Sequence, residues 1–151
     1  SRLAKMIANG VRIVTSGDIS RLPKKSRDLL HDAMKQTARN RKLTANFCLN
    51  YGARDEIHRA AVRFAEKHSG SRSIKVPTEK QFRRLLWQPD LPDVDLLVRT
   101  AGEQRLSNFM LYQAAYAELV FTDKTWPEFS DADVDAAIAE FGRRKRKFGG
   151  L

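Results

Sequence analysis

Cysteine occurs once in the 151 residues, at Cys48, so no disulfide can close within the chain. That residue lies inside the apolar run Leu43 to Leu49, where a small buried thiol is the expected state. Long hydrophobic runs are also missing. The most apolar region, Ala114 to Phe121, is interrupted by Glu118 and falls far short of a membrane span. At the start, Arg2 and Lys5 surround a brief apolar stretch that is not the long uncharged segment of a signal peptide. A soluble, cytoplasmic protein is therefore the expectation. The sequence has no internal repeat or low-complexity segment. It has neither a dinucleotide glycine fingerprint nor a Walker loop, and no zinc-ligand spacing.

Acid is in short supply as well. Eighteen acidic residues stand against 28 basic ones, a formal charge of +10, which favours a polyanionic partner: nucleic acid, an anionic lipid surface or a phosphorylated substrate. Five of the cations form one run, Arg143 to Lys147. It reads either as an anion-binding patch or as a solvated helix end with cations at the negative dipole terminus. The run contains no aromatic group for base stacking, which counts against nucleic acid.

What is present is enough for one compact domain, residues 1–151, with 42% apolar composition. Val11 to Val14, Leu43 to Leu49, Val94 to Val98 and Glu118 to Phe121 read as short strands buried on both faces. Leu29, Leu30, Ala33, Met34 and Ala38 make one helical stripe, and Ile57, Ala60, Ala61, Phe64 and Ala65 make another. Thr78 with Gln81 predicts a capped helix through Leu86, and Ser130 with Asp133 predicts one carrying Val134, Ala137, Ile138 and Phe141. Ser69 to Pro77 reads as a surface loop. The alternation gives an α/β fold with a mainly parallel sheet flanked by helices, in which ligands bind beyond the carboxyl ends of strands.

Directly after the third strand comes Arg99-Thr-Ala-Gly-Glu-Gln-Arg-Leu-Ser-Asn108, with two guanidinium groups, a flexible glycine and several neutral donors. Arginine forks match phosphate oxygens, and the Ser107 hydroxyl and exposed backbone N–H groups would add to them, so pyrophosphate fits this loop. The alternative is that Arg99 and Arg105 merely pair with Glu103 and Asp95 on the surface.

The segment from Asp95 through Arg99, Gly102, Arg105, Ser107 and Glu118, continuing to Phe121-Thr-Asp, Trp126-Pro and Phe129, is similar to the signature of the cis-prenyltransferases of the undecaprenyl pyrophosphate synthase type. Upstream, Asn50-Tyr-Gly-Ala-Arg-Asp-Glu-Ile57 resembles a second block of that family, and Lys147-Phe-Gly-Gly150 resembles its C-terminal arginine-x-glycine element.

The resemblance implies a partial undecaprenyl pyrophosphate synthase fold and successive condensation of isopentenyl pyrophosphate onto an allylic diphosphate with cis double bonds. It also implies Mg2+ and no redox cofactor. By position, Arg99, Arg105 and Ser107 would hold the pyrophosphate of isopentenyl pyrophosphate. Glu118 would offer a carboxylate to the metal, in its own or a partner subunit's site; the alternative for Glu118 is a strand-edge carboxylate paired with an arginine. Tyr51, Gly52, Arg54, Gly102 and Gly149 would be supporting residues. Ala53 stands where the family block usually has glycine, which would strain the loop if that position needs positive φ. Lys147 stands where the terminal element ordinarily has arginine.

The family's N-terminal block, with its metal-binding aspartate, phosphate loop and histidine, has no counterpart here. The chain is thus expected to be a C-terminal portion, inactive alone. The resemblance further implies a homodimer and peripheral membrane contact at most. Two other readings remain open: a non-catalytic subunit supporting another prenyltransferase, and a basic anion- or nucleic-acid-binding module. Leu43, Phe47 and Leu49 are expected in the sheet core, with Leu43 alternatively facing a product tunnel. The apolar residues from Phe109 to Phe121, with Trp126, serve either a dimer contact or the core.

Overall fold

The computed structural model describes residues 2–71, 73 and 75–145. Backbone contacts gather the chain into two units, Ser1–Asp90 and Leu91–Leu151. In the first, helix α1 (Arg2–Ala8) leads into strand β1 (Val11–Ser16), followed by a 3₁₀ turn at Ile19–Arg21 and by α2 (Lys24–Thr37). Strand β2 (Leu43–Cys48), α3 (Ala53–Lys67) and the short α4 (Glu79–Arg83) complete it. β1 and β2 pair in parallel, Val11 opposite Leu43 through Ser16 opposite Cys48. Parallel neighbours need a crossover, and α2 supplies it.

The tie between α2 and β1 is polar rather than part of the apolar stripe. Thr37 is fully buried; its hydroxyl donates to Ala33 O at 2.8 Å and accepts the Ile13 N–H at 3.0 Å. Ala53 and Ala60, also without exposure, give α3 a small-residue face that packs closely. The capping box at Thr78 and Gln81 forms as expected. Its helix nonetheless ends at Arg83, because Leu85 and Leu86 turn back in tight i→i+3 bonds that bury Leu86. Of the 69–77 loop, residues 72 and 74 lie outside the described residues, and the others have no regular structure.

In the second unit, β3 (Leu96–Arg99) pairs in parallel with β4 (Glu118–Phe121), Leu96 opposite Glu118 and Arg99 opposite Phe121. β3 starts two residues later than the sequence suggests, because Val94 N–H bonds the Gln113 carbonyl instead of entering the ladder. A 3₁₀ turn at Trp126–Glu128 leads to α5 (Asp131–Arg143). The Ser130–Asp133 capping box opens that helix. Lys124, first, and Ser130 hold the Asp133 carboxyl well below its ordinary value.

The parallel α/β architecture is the expected one, but the strands are not buried on both faces. Among the described residues each unit's sheet has two strands. On β2, Leu43 is 60% and Phe47 43% exposed, which corrects the expectation that they are core: they share one face with Ala45, and that face is not closed over. Cys48, on the opposite face, is half-buried rather than buried. On α5, Ala137 is buried while Val134 and Ile138 are exposed. No helix among the described residues is long and apolar enough to cross a membrane.

Candidate anion-binding site

Arg99 is the last residue of β3, so its side chain leaves the sheet at the carboxyl end, where parallel strands open into a crevice. The loop after it is shaped by two consecutive left-handed residues, Ala101 (φ 64°) and Gly102 (φ 68°). Their N–H groups bond Lys124 O at 2.8 Å and Thr122 O at 2.9 Å. These two backbone donors are therefore engaged by the segment after β4 and are not among the exposed backbone N–H groups expected to serve an anion. At Gly102, a Cβ would also sit 3.2 Å from Asp123 Oδ1.

The double turn brings Glu103 back over the strand end. Its Oε2 accepts from Arg99 Nη2, and its Oε1 accepts from Arg105 Nη2 at 2.6 Å. The Arg99 hydrogen bond, together with the charges of Arg105 and Arg99, holds the Glu103 carboxyl below its ordinary value. Ser107 Oγ lies 3.5 Å from Arg99 Nη2, at the outer limit of a hydrogen bond. Ser107 and Asn108 are themselves left-handed, with φ 47° and 63°. The cleft lined by Arg99, Glu103 and Arg105 has a volume of about 410 Å³, and its apolar wall includes Leu106, Phe109 and Trp126. Arg99, Arg105 and Ser107 are thus brought together, with the arginines meeting on Glu103 as the surface-pairing alternative foresaw.

Glu118 is not brought to this cleft. It opens β4, three residues before the position opposite Arg99, or about 10 Å down the sheet at strand spacing. Its carboxylate accepts from Arg144 Nη1 at 3.0 Å, and Arg144 also binds Glu140 at 3.1 Å and Leu119 O at 2.9 Å. This is the arginine-paired alternative for Glu118. Arg143 likewise pairs with Glu140, so the first two cations of the basic run finish α5. Gly149 and Lys147 lie outside the described residues.

In the first unit, Tyr51 and Gly52 line a polar pocket of about 280 Å³ beyond the carboxyl ends of β1 and β2, with Asp18, Arg21, Asn50 and Arg59. Tyr51 donates to Glu56 Oε2 at 2.6 Å, and the other oxygen of that carboxylate accepts Trp87 N–H at 2.9 Å. Glu56 is 2% exposed. Arg54 is exposed in the first turn of α3. Ala53 opens that helix without a left-handed backbone, so replacing the family's glycine brings no strain there. The left-handed residue is Asn50, at φ 45°.

Sequence reasoning missed Gly17, at φ 102°, where a Cβ would overlap Leu49 O and lie 2.9 Å from Tyr51 Cβ. It also gave no role to Glu56, and read Arg144 only as part of the basic run. The signal available was a glycine at a strand end for Gly17, and a carboxylate amid the buried face of α3 for Glu56.

The second unit thus joins parallel strands to a pair of arginines gathered at a strand's carboxyl end. Residues 1–149 match the prenyltransferase family described as "Putative undecaprenyl diphosphate synthase", and the chain belongs to that family. It is 47% identical to an isoprenyl transferase of Leptospira interrogans, with all of this chain aligned to 64% of that protein. The ditrans,polycis-undecaprenyl-diphosphate synthase of Micrococcus luteus, specific for (2E,6E)-farnesyl diphosphate, is 39% identical over 99% of this chain and 60% of its own length. Among solved structures, lavandulyl diphosphate synthase of Lavandula x intermedia, in complex with dimethylallyl diphosphate, superposes with a TM-score of 0.92 at 34% identity, covering 99% of this chain and 66% of that one. The chain therefore has the fold of this family and spans somewhat under two thirds of these curated relatives.

Proposed function

We propose that this chain is the isopentenyl pyrophosphate-binding portion of a cis-prenyltransferase, which condenses isopentenyl pyrophosphate onto an allylic prenyl diphosphate to lengthen a polyprenyl diphosphate. In this reading both units belong to one prenyltransferase domain. The observation that carries it is the convergence of Arg99 and Arg105 in a cleft whose other wall is apolar, a surface suited to a diphosphate bearing a short hydrocarbon tail. Arg99 and Arg105 hold the diphosphate with planar forks, Ser107 adds a neutral donor, and Gly102 with Ala101 fixes the loop. Tyr51, Gly52 and Arg54 shape the other strand-end pocket. The diphosphate substrates in the relatives' names support the same class of ligand.

Magnesium, which assists departure of the allylic pyrophosphate, is commonly held by one or two carboxylates together with substrate phosphates. The described residues do not make such a site by themselves. No group of three candidate ligands is present among them, and Glu118 already holds Arg144. Glu118 thus offers the metal a single carboxylate, and only once Arg144 moves aside. Its distance from the Arg99 loop suits service to a partner's site in a homodimer, a reading that exposed Tyr116 and Phe121 also favour. The working location is the cytoplasm, with peripheral contact to the membrane that takes up the lipid product.

The test of completeness is turnover. Labelled isopentenyl pyrophosphate and farnesyl pyrophosphate, incubated with the purified chain and magnesium, should give no product above a no-protein control. A longer prenyl diphosphate formed at a rate above that control overturns the assignment of this chain as a portion inactive alone.

A further inference from the structure

The most unusual feature of the cleft is that both of its arginines already hold an anion supplied by the chain. Glu103 lies four residues after Arg99 and two before Arg105, and each of its carboxylate oxygens accepts from a different guanidinium. A diphosphate bridging the two arginines would approach the same nitrogen donors with the same kind of oxygen. It cannot do so while Glu103 stays, because two like charges would then share one pair of forks.

The backbone places the carboxylate there deliberately. Ala101, a residue with a Cβ, is held left-handed at φ 64°, a conformation L-residues other than glycine disfavour. The turn it makes with Gly102 is pinned to the segment after β4 by two backbone hydrogen bonds. The Glu103 side chain is 34% exposed and that of Arg105 64%, so the carboxylate has a path out to water and the outer arginine can follow a ligand inward.

We propose that Glu103 is a resident stand-in for the ligand's diphosphate: it occupies both arginines in the free chain and is displaced when the diphosphate enters. This rests on the reading of Arg99 and Arg105 as the diphosphate site. Glu103 then does two things. It keeps two like-charged guanidiniums together in the empty cleft, and it sets a threshold for entry, since any anion that takes both arginines must first replace a carboxylate. A polyanion gains enough from the two forks to do this, whereas a weakly charged anion does not.

The test is calorimetric titration of inorganic pyrophosphate into the 151-residue chain and its variants, with circular dichroism confirming that each is folded. Glu103→Gln keeps the shape and removes the charge, and it should bind pyrophosphate about three- to tenfold more tightly, the scale of two partly exposed ion pairs no longer competing. Asp123→Asn removes the same charge next to Gly102 without touching the arginines, and should change affinity less than about twofold. Arg99→Ala should weaken binding. If Glu103→Gln binds no more tightly, or if Asp123→Asn gains as much, the stand-in is refuted while the arginine site survives through the loss in Arg99→Ala. If Arg99→Ala and Arg105→Ala both bind as the parent does, or no folded form binds, the site itself falls and the stand-in with it.

Discussion

Gly17→Ala should destabilise the first unit more than any exposed substitution, and the structure says by how much. Gly17 sits at φ 102°, outside the range side-chain-bearing residues adopt, which costs about 1–3 kcal/mol for alanine. The new Cβ would overlap Leu49 O and lie 2.9 Å from Tyr51 Cβ and 3.0 Å from Asn50 O. Two of those three neighbours are backbone atoms of the loop leaving β2, which cannot rotate away, so crowding adds about 1–3 kcal/mol. The two together, about 2–6 kcal/mol, with a urea dependence of about 1.5 kcal/mol/M, lower the unfolding midpoint by roughly 1.3–4 M. Gly70→Ala is the comparison. It has a similar backbone, φ 86°, but nothing within 4 Å of the new Cβ, so only the strain remains, about 1 kcal/mol or roughly 0.7 M. Urea unfolding followed by circular dichroism measures both. Equal midpoints for the two variants would show that the close approach of the β1 end to the β2–α3 loop does not hold in solution.

Thr37→Val should cost about 1–3 kcal/mol, since it leaves the Ile13 N–H buried without its acceptor; chemical denaturation reads the loss, and a neutral result would deny the α2–β1 tie. Tyr51→Phe should cost about 1–2 kcal/mol by removing one of the hydrogen bonds to the buried Glu56 carboxylate, whereas Glu56→Ala should cost more because it removes the bonds to the Tyr51 hydroxyl and the Trp87 N–H together; the order of the two midpoints is the check. Asp133 has a folded pKa depressed below its unfolded value of about 3.9, so its contribution is present above that value and is lost as pH falls below it toward the folded one. Urea midpoints at neutral and acid pH should therefore fall less steeply in Asp133→Asn than in the parent, and parallel falls would contradict the capping and Lys124 contacts.

The α/β alternation was legible because each element has a local cause. Thr78 with Gln81 and Ser130 with Asp133 begin their helices where the capping boxes say, and the apolar runs at Val11, Leu43 and Glu118 fall on strands. The extent of burial was not legible, because periodicity gives the face of Leu43 and Phe47 but not what covers it. At the site, residue type and position were enough to single out the arginine-rich loop, whose Arg99, Arg105 and Ser107 do come together. What it could not reveal was that Ala101 and Gly102 use their N–H groups on the segment after β4, since that depends on a left-handed turn meeting residues some twenty positions away. Which partners Arg99, Arg105 and Glu118 take within the chain also depends on the tertiary structure. Their partners, Glu103 and Arg144, are set by loop folding and by where α5 ends.

The central claim, that the loop after β3 is the isopentenyl pyrophosphate site, is tested most directly by calorimetric titration of isopentenyl pyrophosphate with magnesium into the chain, Arg99→Ala and Arg105→Ala. The account predicts saturable binding by the parent, weakened about tenfold or more in each variant, as expected for losing a charge-assisted hydrogen bond. Undiminished binding in both variants, or no binding by a demonstrably folded parent, would contradict it.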